Sequence, residues 1–421
     1  MERQPPVQPA PPSSAGLRIL LLTPQLPYPP HQGTSLRNYN LLRYLSGRHA
    51  VSLLSFDADA EPDHLAHLSS LCREVQVIPT PRRSPSARLR TLVTSPWPDM
   101  AWRLYSPGYA QALAGWLRRE PFDILQAEGI ELARYLLSLP RPRPRIVFDA
   151  HNAEYILQKR AFLADLHRPR RWAAAAYSFL QWLKLRRFEA AACRRADALV
   201  AVSGADARAL AALDTRLSPI VVPNGVDLAY YRPGLPPLPG MAHPSLVFTG
   251  KMDFRPNVDA VLWFSTQVMP RIWERRPQAH FYIVGQSPSP RLDALRAEPR
   301  IVITGRVEDT RPYIAGADVY VVPLLVGGGT RLKVLEALAI GQAVVSTPLG
   351  AEGIGVTDGQ EALLAAEPGA FAAQALALLE NAARRAQLGR AGRAFVEAHY
   401  GWEAIGPLLE QAYRLSSSSA L

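Results

Sequence analysis

The 421-residue sequence contains two cysteines, four lysines and no apolar run of the length a bilayer demands. Cys72 and Cys193 provide neither a disulfide framework nor metal-ligand spacing, which fits a reducing compartment. The opening MERQPPVQPAPPSSAG (1–16) has a charged start but no apolar segment before Leu17, so it is not a signal peptide. Its proline density and lack of hydrophobes predict a disordered tail. No zinc-finger spacing, basic zipper or aromatic-rich RNA-binding strand accompanies the net charge of +11, and nucleic acid is not expected as a partner. These absences point to a cytoplasmic protein whose membrane contact, if any, is peripheral, on the inner face.

The basic residues are overwhelmingly arginine. One dense run lies between Lys159 and Arg195, where the charges flank WAAAAYSFLQWL (172–183). It reads either as a surface for anionic lipid or the phosphates of a lipid-linked acceptor, or as a core helix with solvated ends.

What is present is rhythm. The first half carries short runs rich in Val, Ile and Leu at 17–23, 50–56, 74–79, 122–127, 145–150, 196–203 and 218–223. They are continuous rather than alternating, as expected of parallel strands buried on both faces. Helix-length segments such as Leu36–Ser46 and Tyr109–Glu120 separate them. The proline-rich RPGLPPLPG (232–240) then interrupts, and the pattern restarts at 245–250, 280–285, 300–305, 317–323, 342–347 and 361–366. The expected fold is α/β: two doubly wound Rossmann-like domains facing across a cleft. The divisions expected are a tail at 1–16, a first domain at 17–231, a linker at 232–244, a second domain at 245–399, and a terminal helix with frayed end at 400–421.

In such sheets ligands bind at the carboxyl ends of strands, so the loops there carry the chemistry. After ADVYVVP (317–323) come Gly327, Gly328 and Gly329, then Thr330 as a candidate N-cap and a helical run. A helix start of this kind suits a diphosphate, with Arg331 and Lys333 adding charge. Glu336, further along, can accept hydrogen bonds from ribose hydroxyls; the alternative is a generic glycine turn before a core helix. After SLVFTG (245–250) come Gly250, Lys251 and Arg255, whose charges either face the same diphosphate or are solvated. In the first half Gly33 precedes a helix beginning near Thr34, in a loop that admits a sugar or phosphate or merely connects. FDAHNAEY (148–155) sets His151, Asn152 and Glu154 at a strand end, where His151 can touch the transferred sugar. Asp57 and Asp59 form a D-x-D, yet acidic groups are favoured at a helix start without any metal, and none is expected.

Together these loops resemble glycosyltransferase group 1, family 4, from Leu17 to about Tyr413. The resemblance rests on VVPNGVDLAYYRP (221–233), GKMDFRPNVDAV (250–261), VEDTRPYIAGADVYVVPL (307–324) and GGGTRLKVLEALAIGQAVVSTPLGAEGI (327–354). More narrowly, PPHQGTSLRNYNLLRYLS and the HNAEY loop are similar to sugar transferases of bacterial exopolysaccharide clusters. The resemblance implies a GT-B fold, a nucleotide-sugar donor held mainly by the second domain, a glycan or lipid-linked acceptor, and retention of configuration with no essential metal or other cofactor. Glu336 matches the second glutamate of the family's E-x7-E motif; the first would fall at Gly328, a departure. Lys251 occupies an arginine position and no lysine follows in the usual place, so Arg255, Arg331 or Lys333 must supply the second charge. His151 matches the family's strand-end histidine, and Gly33 its first-loop glycine. Two other readings remain open: a sugar-nucleotide epimerase on the same fold, and a non-enzymatic nucleotide or carbohydrate binder.

Overall fold

The computed structural model describes residues 16–30, 33–57, 61–166, 172–326 and 331–415. Thirteen strands form among them, one overlapping each apolar run named above. They assemble into two wholly parallel sheets, ordered β3-β2-β1-β4-β5-β6-β7 and β10-β9-β8-β11-β12-β13. In the first, β1 (Arg18–Thr23) lies between β2 (Ala50–Asp57) and β4 (Ile124–Glu128), with β3 (Glu74–Pro79), β5 (Arg145–Ala150), β6 (Ala198–Ala201) and β7 (Ile220–Val221) outward. In the second, β8 (Ser245–Thr249) lies between β9 (His280–Val284) and β11 (Val319–Val322), with β10 (Ile301–Gly305), β12 (Val344–Ser346) and β13 (Leu363–Leu364) outward. Both sheets reverse their strand order beside the first strand. That reversal splays the neighbouring loops apart and leaves a crevice at the carboxyl edge. Helices cover both faces, which is why Leu20, Leu22, Leu54 and Phe56 in one sheet and Val247, Phe248, Val321 and Val322 in the other are fully buried.

The chain divides into two compact units, one of residues 1–223 with 405–421 and one of residues 224–404. The expected linker at 232–244 falls within the second unit: Leu235 and Leu238 pack on its core, and Leu238 N donates to Pro312 O at 3.0 Å. The terminal helix, Trp402–Leu415, mostly joins the first unit. Ile405, Leu409, Ala412 and Tyr413 repeat at helical spacing and are buried. Each large apolar side chain so buried contributes about 1.5–3 kcal/mol. Gly406 lets the helix approach: a Cβ there would lie 2.2 Å from Tyr44 Cζ. Most of the N-terminal tail and the serine-rich end (416–421) lie outside the described residues.

Candidate functional site

At the carboxyl edge of the first sheet, β4 ends in Glu128 and β5 runs through Asp149 to Ala150, just before His151. Both carboxylates are fully buried, an arrangement that is costly unless each charge is answered. The answer comes from the helix Gly33–Ser46. Its buried Arg37 donates to Asp149 Oδ2 from Nη2 at 2.7 Å and from Nε at 3.1 Å, and to Pro223 O from Nη1 at 3.1 Å. His151 Nε2 lies 2.8 Å from Glu128 Oε2, and the Asn38 amide, turned to donate, lies 3.0 Å from the same oxygen. Gln126 Nε2 donates to Glu128 Oε1, and Tyr413, from the terminal helix, donates to Gln126 Oε1. Burial disfavours the imidazolium of His151, but the Glu128 carboxylate hydrogen-bonded to it, with Asp149 behind, outweighs this and holds its pKa above the ordinary value.

Ligand atoms of Glu128, Asp149 and His151 lie within 4.8 Å of one another, close enough to share a cation. The Arg37 guanidinium already occupies Asp149, however, so charge balance is reached by protein groups. In front of this cluster is a cavity of about 450 Å³, lined by Gln25, Thr34, Asp57, Arg103, Glu131, His151, Asn152 and Glu154 among others. Asn152 Nδ2 donates to Glu154 Oε1 at 3.0 Å. The helix Glu154–Leu166 is capped from behind by Glu189, which accepts from Glu154 N and Tyr155 N at 2.9 Å each.

In the second unit, the carboxyl ends of β8 and β9 meet at two glycines. A Cβ on Gly285 would stand 1.7 Å from Gly250 O, so glycine is the residue that permits this contact. A Cβ on Gly250 would lie 2.8 Å from Lys333 Nζ and 2.7 Å from Asn257 Nδ2. Lys333 belongs to the helix Leu332–Ile340 and donates to Asn257 Oδ1 at 2.9 Å, while its ammonium sits 4.0 Å from the Phe248 ring centroid. Burial pushes its pKa down to about 7, against the pull of Glu336. Burial likewise raises the pKa of Glu336, opposed by the Tyr231 hydroxyl hydrogen-bonded to it and by Lys333. Arg331, at the N-cap position, is buried and donates from Nε to Leu349 O at 3.4 Å.

The residues singled out in the sequence therefore fall into two groups. His151, Asn152 and Glu154 line one cavity, and the helix led by Gly33 brings Thr34 to it. Gly250, Lys333 and, one turn on, Glu336 gather in the second unit. Lys251 and Arg255 are more than half exposed, with Lys251 paired to Asp253 at 3.3 Å and Arg255 to Asp259 at 3.3 Å. Gly328, Gly329 and Thr330, like Asp59 of the D-x-D, lie outside the described residues; the helix takes Arg331, not Thr330, as its N-cap. Sequence reasoning missed Arg37, Glu128, Asp149 and Asn257 as site residues. The available signal was a carboxylate inside an apolar strand run, which burial permits only with a partner.

On the helices Glu154–Leu166 and Trp172–Arg195, Leu163, Leu166, Trp172, Phe179, Leu180 and Leu183 are exposed to between 36% and 63%. Trp172, Phe179, Leu180 and Leu183 share one stripe with Arg186 and Arg187. No described helix is long and apolar enough to cross a membrane.

Comparison with known proteins agrees over most of the chain. The model of Glycosyltransferase Family 4 matches residues 32–230, and that of Glycosyl transferases group 1 matches residues 243–381. A protein of the cps region of Klebsiella pneumoniae is 22% identical over 164 residues, 37% of this chain and 42% of that protein. A GDP-mannose-dependent monoacylated α-(1-6)-phosphatidylinositol monomannoside mannosyltransferase of Corynebacterium glutamicum is 28% identical over 210 residues, 45% and 54% of the two chains. The chain spans about half the length of the curated relatives it matches. Among solved structures, Anabaena HepE in complex with UDP and glucose is similar in fold, with a TM-score of 0.63 and 16% identity over 95% of this chain and 100% of that one.

Proposed function

From a chain that belongs to the group 1 glycosyltransferases and has their GT-B fold, we infer a retaining enzyme that moves a sugar from a nucleoside-diphosphate donor to a glycan or lipid-linked acceptor in polysaccharide biosynthesis. One observation carries this reading: Lys333 at the start of its helix, held by Asn257 and facing Gly250, where no Cβ blocks an approaching phosphate. A diphosphate develops negative charge as the sugar leaves, and a cation set there beforehand lowers the barrier. The helix start adds partial positive charge in the same direction. Lys333 therefore fills the role of the second cation that no lysine after Lys251 supplies; Arg255, exposed and paired to Asp259, does not. With fixed cations on the leaving group, the reaction needs no divalent metal. Glu336 receives the ribose, and His151 meets the sugar being transferred. The acceptor hydroxyl attacks on the face the diphosphate leaves, and the leaving phosphate takes its proton.

Two relatives support a diphosphate donor, one by GDP-mannose in its name and one by bound UDP and glucose; the cps location of a third fits polysaccharide assembly. The exposed apolar stripe with Arg186 and Arg187 at its end suits peripheral contact with an anionic membrane, where lipid-linked acceptors reside.

The pKa of about 7 provides the test. A bound diphosphate stabilises the charged ammonium, so binding draws a proton onto Lys333. Titration calorimetry with UDP and GDP, in two buffers of different ionisation enthalpy near neutral pH, should reveal proton uptake. Lys333→Met should remove that uptake and weaken binding. Diphosphate binding that is unchanged in the variant would overturn the assignment.

A further inference from the structure

We propose that Glu189 is a positioning residue, which holds the loop 151–154 so that His151, Asn152 and Glu154 face the cavity of the first unit. The inference rests on the transferase reading and extends it to a group that touches no substrate. Glu189 lies on the helix Trp172–Arg195, fully buried on a face made otherwise of Leu185, Phe188, Ala192 and Cys193. Such a face packs without any charge. Burial pushes the Glu189 pKa up to about 8, with two backbone amides opposing the rise and Glu154 and Asp206 adding to it. A carboxylate in this place is therefore costly, and the amides are what answer it.

Its Oε1 accepts from Glu154 N and its Oε2 from Tyr155 N, each at 2.9 Å. Ala153 N donates to Asp206 Oδ1 at 3.0 Å, and the Tyr155 hydroxyl donates to Ala209 O at 2.8 Å. Three successive amides between a strand end and a helix are thus fixed by side chains of two other helices. Asp206 is also engaged with Ser203 at the start of its own helix, whereas both oxygens of Glu189 go to the loop. The usual device for a helix start is a local cap, but Ala153, before the helix Glu154–Leu166, has no side chain that accepts. Asn152 donates to Glu154 Oε1 instead. A serine at 153 would satisfy the helix and leave the loop tied only to itself. Glu189 ties it to a helix of 24 residues. The Glu128 contact orients the His151 ring, and Glu189 sets the backbone that carries the ring. Misplacing a reacting group by about 1 Å costs about 100-fold in rate.

Glu189→Gln, near-isosteric, keeps an acceptor for one amide and sets an NH2 group against the other. NMR of the full chain labelled at histidine, with His151 assigned by its loss in His151→Gln, gives the first readout. The His151 titration midpoint should fall in Glu189→Gln, because a loosened backbone weakens the contact with Glu128. Release of UDP or GDP from a panel of nucleotide sugars should show kcat at least about tenfold lower and KM within about twofold, since the diphosphate is held by the second unit. Adding Ala153→Ser supplies a local cap and should restore the thermal midpoint without restoring kcat. This double variant also carries the test if Glu189→Gln alone does not fold. An unmoved His151 titration would overturn the proposal. So would recovery of kcat together with stability, which would make Glu189 a cap and no more. Failure of the unaltered chain to release a diphosphate from any nucleotide sugar would instead sink the transferase reading, and the His151 titration would still decide the role of Glu189.

Discussion

The two units share a parallel sheet, a reversal beside the first strand and loops gathered at the carboxyl edge, yet the edges differ in charge. In the first, buried carboxylates are matched by Arg37 and His151 and more carboxylates face the cavity. In the second, an ammonium is pressed against the Phe248 ring beside two glycines that keep the approach open. The scaffold is common, and what each half can hold is written in a few side chains at strand ends. Lysine underlines the point: of the four in the chain, Lys251 and Lys333 both stand at the second edge.

The strongest way to break the comparison is Lys333→Met. Loss of one fixed cation from the leaving group should lower kcat/KM by about 100- to 1,000-fold, read in a transfer assay with a nucleotide-sugar panel. A loss below tenfold would mean that the second edge is not the cationic half. Gly285→Ala comes next. Its Cβ would strike backbone oxygen rather than a mobile side chain, so urea unfolding should register about 3 kcal/mol of lost stability. Gly250→Ala, which meets only side-chain ends, should cost about 1 kcal/mol and weaken diphosphate binding instead.

On the first edge, Glu128→Gln should cost about 2 kcal/mol, the range for a hydrogen bond to a charged partner. It should also drop the His151 pKa in an NMR titration; an unmoved pKa would deny the pairing. The two edges should moreover respond to pH in opposite senses. The raised pKa of His151 gives stabilisation that is complete below its ordinary 6.5 and fades as pH rises through the folded value. The lowered pKa of Lys333 makes the unfolded chain the better proton binder between about 7 and 10.5, so its contribution grows with pH across that window. Thermal unfolding of single variants over a pH series separates the two slopes. The smallest effect is expected at the surface: Phe179→Ser with Leu180→Ser should reduce flotation with anionic liposomes by about tenfold, locating lipid contact on the first unit. Equal flotation would remove that contact from it.

The alternation of elements was legible because parallel strands buried on both faces leave continuous apolar runs, and each of the thirteen became a strand. His151, Asn152 and Glu154 were legible as a strand-end loop. Glu128 and Asp149 were not, because their meaning depends on Arg37 and His151, and Arg37 lies 112 positions from Asp149. Nothing local records such a pairing. The sequence offers Lys333 two rivals for one role, Arg255 and Arg331, and its packing against Asn257 and Gly250 separates it from the exposed Arg255. By composition the proline-rich 232–240 reads as a connection; its leucines instead pack on the second core, since a segment that begins and ends beside apolar surface gains by covering it.

The helix Trp402–Leu415 has a consequence for how the protein is made. Tyr413 closes the chain of groups that runs through Gln126 and Glu128 to His151, a contact spanning 287 positions. On a ribosome the first sheet emerges early, but its buried charges wait for a tyrosine translated after the entire second unit. The second unit can finish folding while still tethered; the first cannot finish until it receives the helix that follows. A transcript cut short before that helix would yield one finished half and one with an open seam, and quality control would act on the seam.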